Sequence, residues 1–134
     1  IQDAYRRNNM DEVKGKFILL DKEGVPEMAK RLKRHKSPDI WVVDTVQFLD
    51  LKFSEYKTLK LNNPNKLFIY VSHIDGRLPD GSTARKIHRD ANVAFRVEGF
   101  RAFPVGRYGG GKPITICPRL AGEYWGLDID EKEE

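Results

Sequence analysis

Cysteine and long hydrophobic runs are almost absent from this sequence. Cys117 is the one cysteine among 134 residues, which excludes a disulfide framework and a cysteine-rich zinc site. No apolar stretch approaches the ~20 residues needed to span a bilayer. No segment with a basic start and an apolar middle opens the chain as a secretory signal would. We therefore expect no membrane association and a cytoplasmic location.

The sequence also lacks a phosphate-binding loop, whose pattern is G-x-x-x-x-G-K-[ST] between a strand and a helix. The nearest match, GRYGGGK at residues 106–112, is followed by Pro113 where the hydroxyl residue belongs. We expect the next residues, ITICPRLAG, to form a strand broken by Pro118, so that no helix N-terminus would face a phosphate. The chain alone is therefore not expected to hold β- and γ-phosphates.

Acidic residues are concentrated at the end of the chain. Residues 127–134 carry five acids and one lysine, which leaves 23 basic and 15 acidic residues in the remainder. We expect this acidic tail to be disordered. A body with a positive balance could meet the phosphates of a nucleotide or a nucleic acid, although a solvated lysine-rich surface explains the same composition.

The hydrophobic pattern predicts one α/β domain over residues 1–134. Apolar runs without alternation at 40–43 and 67–71 are typical of strands covered on both faces in a parallel sheet, and the run at 16–20 predicts another strand. Helical spacing and stop signals predict three helices and three late strands, the latter as an antiparallel β extension at the C-terminal end. The helices are expected at 25–36, 53–61 and 83–89, and the late strands at 93–97, 102–105 and 114–117.

Polar side chains follow both buried runs. Asp44 comes directly after the first, and Ser72 and His73 come directly after the second. The carboxyl ends of parallel strands are where open α/β sheets bind ligands, so these side chains are expected at one edge of the sheet. A capping aspartate and a solvated histidine would explain the same residues without a ligand. Further on, Arg107 stands among glycines that allow close backbone approach to a phosphate, or that simply form a turn.

The order of these features resembles the DnaB-type replicative helicases and the RadA-type repair ATPases over roughly residues 15–117. Residues 31–49 resemble the basic helix and Walker B strand of that family, with matches at Asp44, Gln47 and Leu49. The later matching segments are LFIYVSH at 67–73, IHRDANVAFRV at 87–97 and VGRYGGG at 105–111, the last including Arg107 and Gly109.

The resemblance implies a three-layer RecA-like sheet, with parallel strands and helices on both faces, in an ATPase that uses ATP and Mg²⁺. It implies DNA as a partner and a homo-oligomer, either a ring or a filament. The implied roles fall on nine residues: Asp44 holding Mg²⁺ through water; Thr45, Gln47 and Gly109 beside the nucleotide; Ser72 and His73 sensing the γ-phosphate; Arg107 as an arginine finger reaching a neighbouring subunit; Arg77 and Arg85 beside a DNA-contacting loop at 74–82.

Two departures from the family pattern bear on activity. Val105 stands where the family has a lysine, and His73 stands where the helicases have glutamine. With no phosphate-binding loop, the chain is expected to be the C-terminal half of such an ATPase and inactive alone. An incomplete parallel sheet would leave an apolar face uncovered, so the isolated chain is expected to dimerise or to bind a partner there.

Two other functions compete with this interpretation. The first is a non-catalytic nucleic-acid-binding or assembly module with a degenerate RecA-like fold, which the missing loop and Val105 favour. The second is a metal-dependent hydrolase, because two pairs of imidazole and carboxylate groups have the chemistry of a two-metal site. Those pairs are His73 with Asp75 and His88 with Asp90.

Overall fold

The computed structural model describes residues 6–7, 9–13, 17–105 and 111–126. The chain divides into two compact units, Ile1–Ser37 and Pro38–Glu134. Within the described ranges, every helix is too short or too polar to cross a membrane. The acidic tail lies outside the described residues, so its disorder stays a prediction.

In the first unit, helix α1 (Val25–Leu32) is shorter than the sequence predicts, and a 3-10 helix (Met10–Val13) precedes it. Pro26 lies in its first turn, where a missing N–H is harmless. The Arg31 side chain donates to the Glu23 carboxylate, with Nε 2.6 Å from Oε2, and this bond lowers the pKa of Glu23. Residues 17–20 form no strand, so the strand predicted at 16–20 is not found in its described part.

The second unit begins with a strand–helix–strand element. Strand β1 (Ile40–Val43) pairs in parallel with strand β2 (Leu67–Tyr70). Helix α2 (Phe53–Asn62) connects them, one residue longer than predicted. Tyr56 of α2 packs edge-on against Tyr70 of β2, with ring centroids 5.3 Å apart. This contact places α2 against the same face of the strand pair as Tyr70.

The predicted three-layer RecA-like sheet is wrong. The parallel sheet has two strands, and neither pairs with another strand in the described part of the chain. Helices do not cover both faces of the pair, because four side chains on one face are between 44% and 59% exposed. These are Ile40, Val42, Leu67 and Ile69. An unbroken apolar run does not distinguish a strand that is buried on both faces from a strand that has one exposed apolar face.

After β2 the chain forms a small hairpin and then a helix. Strands β3 (Ile74–Asp75) and β4 (Leu78–Pro79) are antiparallel, and Gly76 supplies the positive φ of 62° that the turn requires. Helix α3 (Ser82–Asp90) follows, within one residue of its predicted ends. The segment predicted as a plain loop is therefore a hairpin with a defined register.

The late strands form a sheet of their own rather than an extension of the parallel one. Its order is β5 (Ala94–Glu98), β6 (Arg101–Val105) and β7 (Ile114–Thr115), all antiparallel. The register pairs Arg96 with Phe103, and the Arg96 guanidinium lies 4.6 Å from the ring centroid of Phe103. Strand β5 pairs with β6 and β6 pairs with β7, so these strands make their ladder hydrogen bonds with each other.

Helix α4 (Pro118–Trp125) occupies residues for which the sequence predicts a broken strand. Pro118 does not interrupt a strand here; it opens the helix, a position that its fixed φ suits. Gly126 closes the helix in the left-handed region with φ 64°. The indole Nε1 of Trp125 donates to the Gly99 carbonyl at 3.0 Å, which fixes α4 against the β5–β6 turn.

Candidate functional site

The ends of β1 and β2 bring together the polar residues that follow them. The Val71 amide donates to the Val43 carbonyl, and the Val46 amide donates to the Val71 carbonyl, both at 2.9 Å. These bonds hold the segment after β1 against the segment after β2. Asp44 and Ser72 therefore lie at the same edge of the parallel pair, as predicted from the strand ends.

Gln47 is the centre of a hydrogen-bond network at this edge. Its Nε2 donates to Ser72 Oγ at 2.8 Å and to the Asp80 carbonyl at 2.7 Å. Its Oε1 accepts the His73 amide at 3.3 Å. One amide side chain thus links the end of β1, the end of β2 and the residue that follows the hairpin.

The hairpin is fixed to the same edge by further bonds. The Asp80 amide donates to the His73 carbonyl at 2.8 Å. Arg85 of α3 donates from Nε to the Pro79 carbonyl at 3.0 Å, and its guanidinium lies 3.6 Å from the Asp75 carboxylate. Arg85 is therefore half-buried and engaged within the fold. Arg77, at the hairpin turn, is exposed, so the two predicted DNA-contacting arginines have different surroundings.

The exposed groups at this edge suit a hydrated divalent cation and a phosphate. Asp44 is exposed, and no ion pair engages it in the described residues. Thr45 is half-buried, and its Oγ1 accepts the Phe48 amide at 3.2 Å. His73 is exposed beside Ser72. The Ser72 hydroxyl donates to the His73 carbonyl at 2.8 Å. One exposed carboxylate at the end of a strand fits water-mediated contact to Mg²⁺, which keeps several of its waters.

The two-metal alternative finds no ligand set here. Asp75 faces Arg85, and the Asp90 carboxylate receives bonds from the Lys60 ammonium at 2.8 Å and the Tyr56 hydroxyl at 2.7 Å. Among the described residues, no three His, Cys, Asp or Glu side chains are placed to hold one metal ion. The carboxylates that this hypothesis needs are engaged by cations and a phenol instead.

Two buried phenols adjoin this region. Burial raises the pKa of Tyr70 to about 12. Burial, followed by the hydrogen bond to Asp90, raises the pKa of Tyr56 well above its ordinary range. The Tyr70 hydroxyl is buried and has no hydrogen-bond partner in the described residues. These tyrosines are packing groups that stay protonated at neutral pH.

Two of the residues that the resemblance assigns lie outside the described residues. Arg107 and Gly109 fall within 106–110, so the arginine finger stays a prediction. The sequence does not predict that Gln47 links the two strand ends, because the resemblance places this residue beside the nucleotide. Its partners Ser72 and Asp80 lie 25 and 33 residues away, and no local pattern indicates such distant pairings.

The chain was compared with family models, with curated protein sequences and with solved structures, and none of them matches it.

Proposed function

We propose that this chain is the cation- and γ-phosphate-responsive portion of an ATPase that acts on DNA, completed by a phosphate-binding loop that these 134 residues lack. The observation that supports it best is that Asp44 and the Ser72–His73 pair follow two parallel strands at the same edge of the sheet. A carboxylate, a hydroxyl and an imidazole at that edge are the groups that a Mg²⁺-bound triphosphate would meet.

Each residue of the strand-end site has its own role in this proposal. Asp44 would hold hydrated Mg²⁺ through water, with Thr45 beside it. Ser72 and His73 would contact the γ-phosphate, and Gln47 keeps both strand ends in position. When bound, the Mg²⁺–ATP complex supplies the phosphoryl group to be transferred. Arg107 acts on the nucleotide of a neighbouring subunit in a homo-oligomer, where an arginine finger can contribute ~10³–10⁵ in rate.

The decisive experiment measures ATP binding by calorimetry and ATP turnover in the full-length gene product. Asp44→Asn is expected to lower turnover about 10–100-fold while leaving the fold intact, because the hydrated cation loses its carboxylate partner. Asp50→Asn is the matched control, since Asp50 is an exposed aspartate with φ 48°, a conformation that asparagine tolerates. Absence of nucleotide binding, or an Asp44→Asn protein with normal turnover, would overturn the proposal.

A second candidate function, a non-catalytic assembly module, is favoured by the uncovered face of the parallel pair. Ile40 and Val42 are 58% and 59% exposed, and Leu67 and Ile69 lie beside them on β2. Parallel strands are ordinarily covered on both faces. Sedimentation of the isolated chain tests this candidate: Val42→Lys is expected to convert an associated species to a monomer. A monomeric wild-type chain would remove the candidate.

A further inference from the structure

Helices α2 and α3 lie side by side and run in the same direction. Lys86 of α3 lies over the ring of Phe53 near the start of α2, and Asp90 at the end of α3 meets Tyr56 and Lys60 further along α2. Residue numbers increase in the same direction along both helices at these contacts, so the two helices form one continuous surface. We call this surface, formed by Phe53–Asn62 and Ser82–Asp90, the α2–α3 face.

Two lysines converge on one aromatic ring of this face. Lys57 Nζ is 5.9 Å and Lys86 Nζ is 5.8 Å from the centroid of the Phe53 ring. Their methylene stems lie along apolar surface while the ammonium groups reach water. Two like charges held near one ring repel each other, and neither has an ion-pair partner in the described residues. An added anion would relieve this repulsion.

The acids on the same helices are already engaged. Asp90 is bound by Lys60 and Tyr56, and Glu55 accepts the Lys52 amide at 2.9 Å as part of a capping box. Arg89 adds an exposed cation one turn beyond Lys86. The face therefore carries two cations about one turn apart on each helix, Lys57 and Lys60 on α2 and Lys86 and Arg89 on α3, and its two carboxylates already accept hydrogen bonds.

We infer that the α2–α3 face binds the phosphate backbone of single-stranded nucleic acid through Lys57 and Lys86, independently of the strand-end site. A row of cations spaced along a surface matches a ligand whose charges repeat along a chain. The Phe53 ring between the lysines is half-buried, so it positions the ammonium groups and does not stack on a base. The binding is therefore expected to be independent of sequence.

The test measures fluorescence anisotropy of a labelled oligothymidylate of about 20 nucleotides as the chain is added, over a range of salt concentrations. A plot of the logarithm of the association constant against the logarithm of the salt concentration has a negative slope. In the double variant Lys57→Gln/Lys86→Gln this slope is expected to be shallower by about 1.4, about 0.7 for each lost phosphate contact on a single strand. That loss corresponds to binding about 25-fold weaker near 0.1 M salt, converging on the wild type near 1 M.

The matched control is Lys33→Gln/Lys36→Gln, which removes the same charge from two exposed lysines of the first unit. The conservative variant Lys57→Arg/Lys86→Arg is expected to keep the wild-type slope, and thermal melting confirms that each variant is folded. If the control weakens binding as much as the double variant does, only net charge matters and the inference is wrong.

Two further measurements distinguish this inference from binding of an acidic protein and from the nucleotide proposal. Polyglutamate is expected to displace the oligonucleotide poorly. If polyglutamate competes as well as unlabelled DNA at the same concentration of negative charge, the face binds acidic protein and the inference is wrong. Asp50→Asn, the control variant of the nucleotide test, is expected to leave oligonucleotide binding unchanged. Failure of the nucleotide proposal and failure of this inference are thus distinguishable, because they are measured with different variants and different ligands.

Discussion

Removing the Gln47 side chain is expected to loosen the candidate site and lower the stability of the second unit. Gln47→Ala deletes two donated bonds, at 2.8 and 2.7 Å, and one accepted bond at 3.3 Å. A typical intramolecular hydrogen bond contributes about 0.5–1.5 kcal/mol net. His73 and Asp80 are exposed, so water replaces part of what is lost, and the low end of that range applies.

The expected loss is therefore about 1.5–2 kcal/mol in the free energy of unfolding. For a chain of this size, that loss corresponds to a Tm about 5–8 °C lower. Urea denaturation followed by the fluorescence of buried Trp41 measures it, because that indole donates to the Pro38 carbonyl at 2.9 Å and reports unfolding of the second unit. The denaturant midpoint should fall while the slope stays the same.

A local readout accompanies the global one. Hydrogen exchange of the Asp80 amide, which bonds to the His73 carbonyl at 2.8 Å, should accelerate in Gln47→Ala more than exchange within α3. Gln47→Glu keeps an acceptor for the His73 amide but loses both donated bonds and faces the Asp80 carbonyl oxygen with a carboxylate. It is expected to be at least as unstable as the alanine variant at neutral pH and to recover partly near pH 4, where its carboxyl regains a proton.

Unchanged stability together with unchanged exchange at Asp80 would refute the reasoning, since the three bonds would then contribute nothing. A fall in stability with no change at Asp80 would show that Gln47 supports the fold without holding the hairpin to the strand end. In that case Gln47 could not position Ser72 and His73 in the way that the proposed function requires.

The remaining predictions concern packing and protonation. Tyr70→Phe removes a buried hydroxyl that lacks a partner in the described residues, so it should raise the free energy of unfolding by about 1 kcal/mol in urea denaturation. Because the pKa of Tyr70 is about 12 in the folded chain and about 10 in the unfolded chain, ionisation of this phenol favours unfolding, and the free energy of unfolding falls as pH rises from 10 to 12. Denaturant midpoints between pH 9 and 12 should therefore fall less steeply in Tyr70→Phe; equal slopes would contradict the assignment. Gly99→Ala should cost at least about 2 kcal/mol, because φ is 53° and a methyl group there would overlap the rings of Tyr124 and Trp125. Near-ultraviolet circular dichroism should show the displaced Trp125, and a native spectrum would contradict the packing. Asp90→Asn should separate the ends of α2 and α3 and lower the Tm by a few degrees, about 1 kcal/mol, and an unchanged melting curve would show that its bonds to Tyr56 and Lys60 are replaced by water.

Local patterns were sufficient for the elements that carry the candidate site. The apolar runs that become β1 and β2, and the helical spacing of α2 and α3, predicted elements whose ends agree with the structure within one or two residues. The positions of Asp44 and Ser72 after those strands followed from the same patterns. Each of these features depends on neighbours a few residues away, which a sequence displays directly.

Local patterns failed where a residue has two permitted roles. Pro118 is excluded from a strand interior and favoured in the first turn of a helix, and the sequence interpretation chose a broken strand where the structure has α4. The helix has signals that the sequence displays, Pro118 at its first position and Gly126 directly after its end, which the strand interpretation does not use. The Trp125 indole donates to the Gly99 carbonyl, 26 residues away, and this bond holds α4 against the β5–β6 turn.

By itself, the sequence determined the strand ends and the chemistry placed there: a carboxylate, a hydroxyl and an imidazole after two apolar runs, with no phosphate-binding loop to accompany them. Tertiary structure alone decided that the parallel sheet has two strands in the described part of the chain, that the late strands form a separate sheet, and that Gln47 joins both strand ends to the hairpin. The physical reason is that sheet size and hydrogen-bond networks depend on pairings across many residues, whereas propensity and periodicity act over a few.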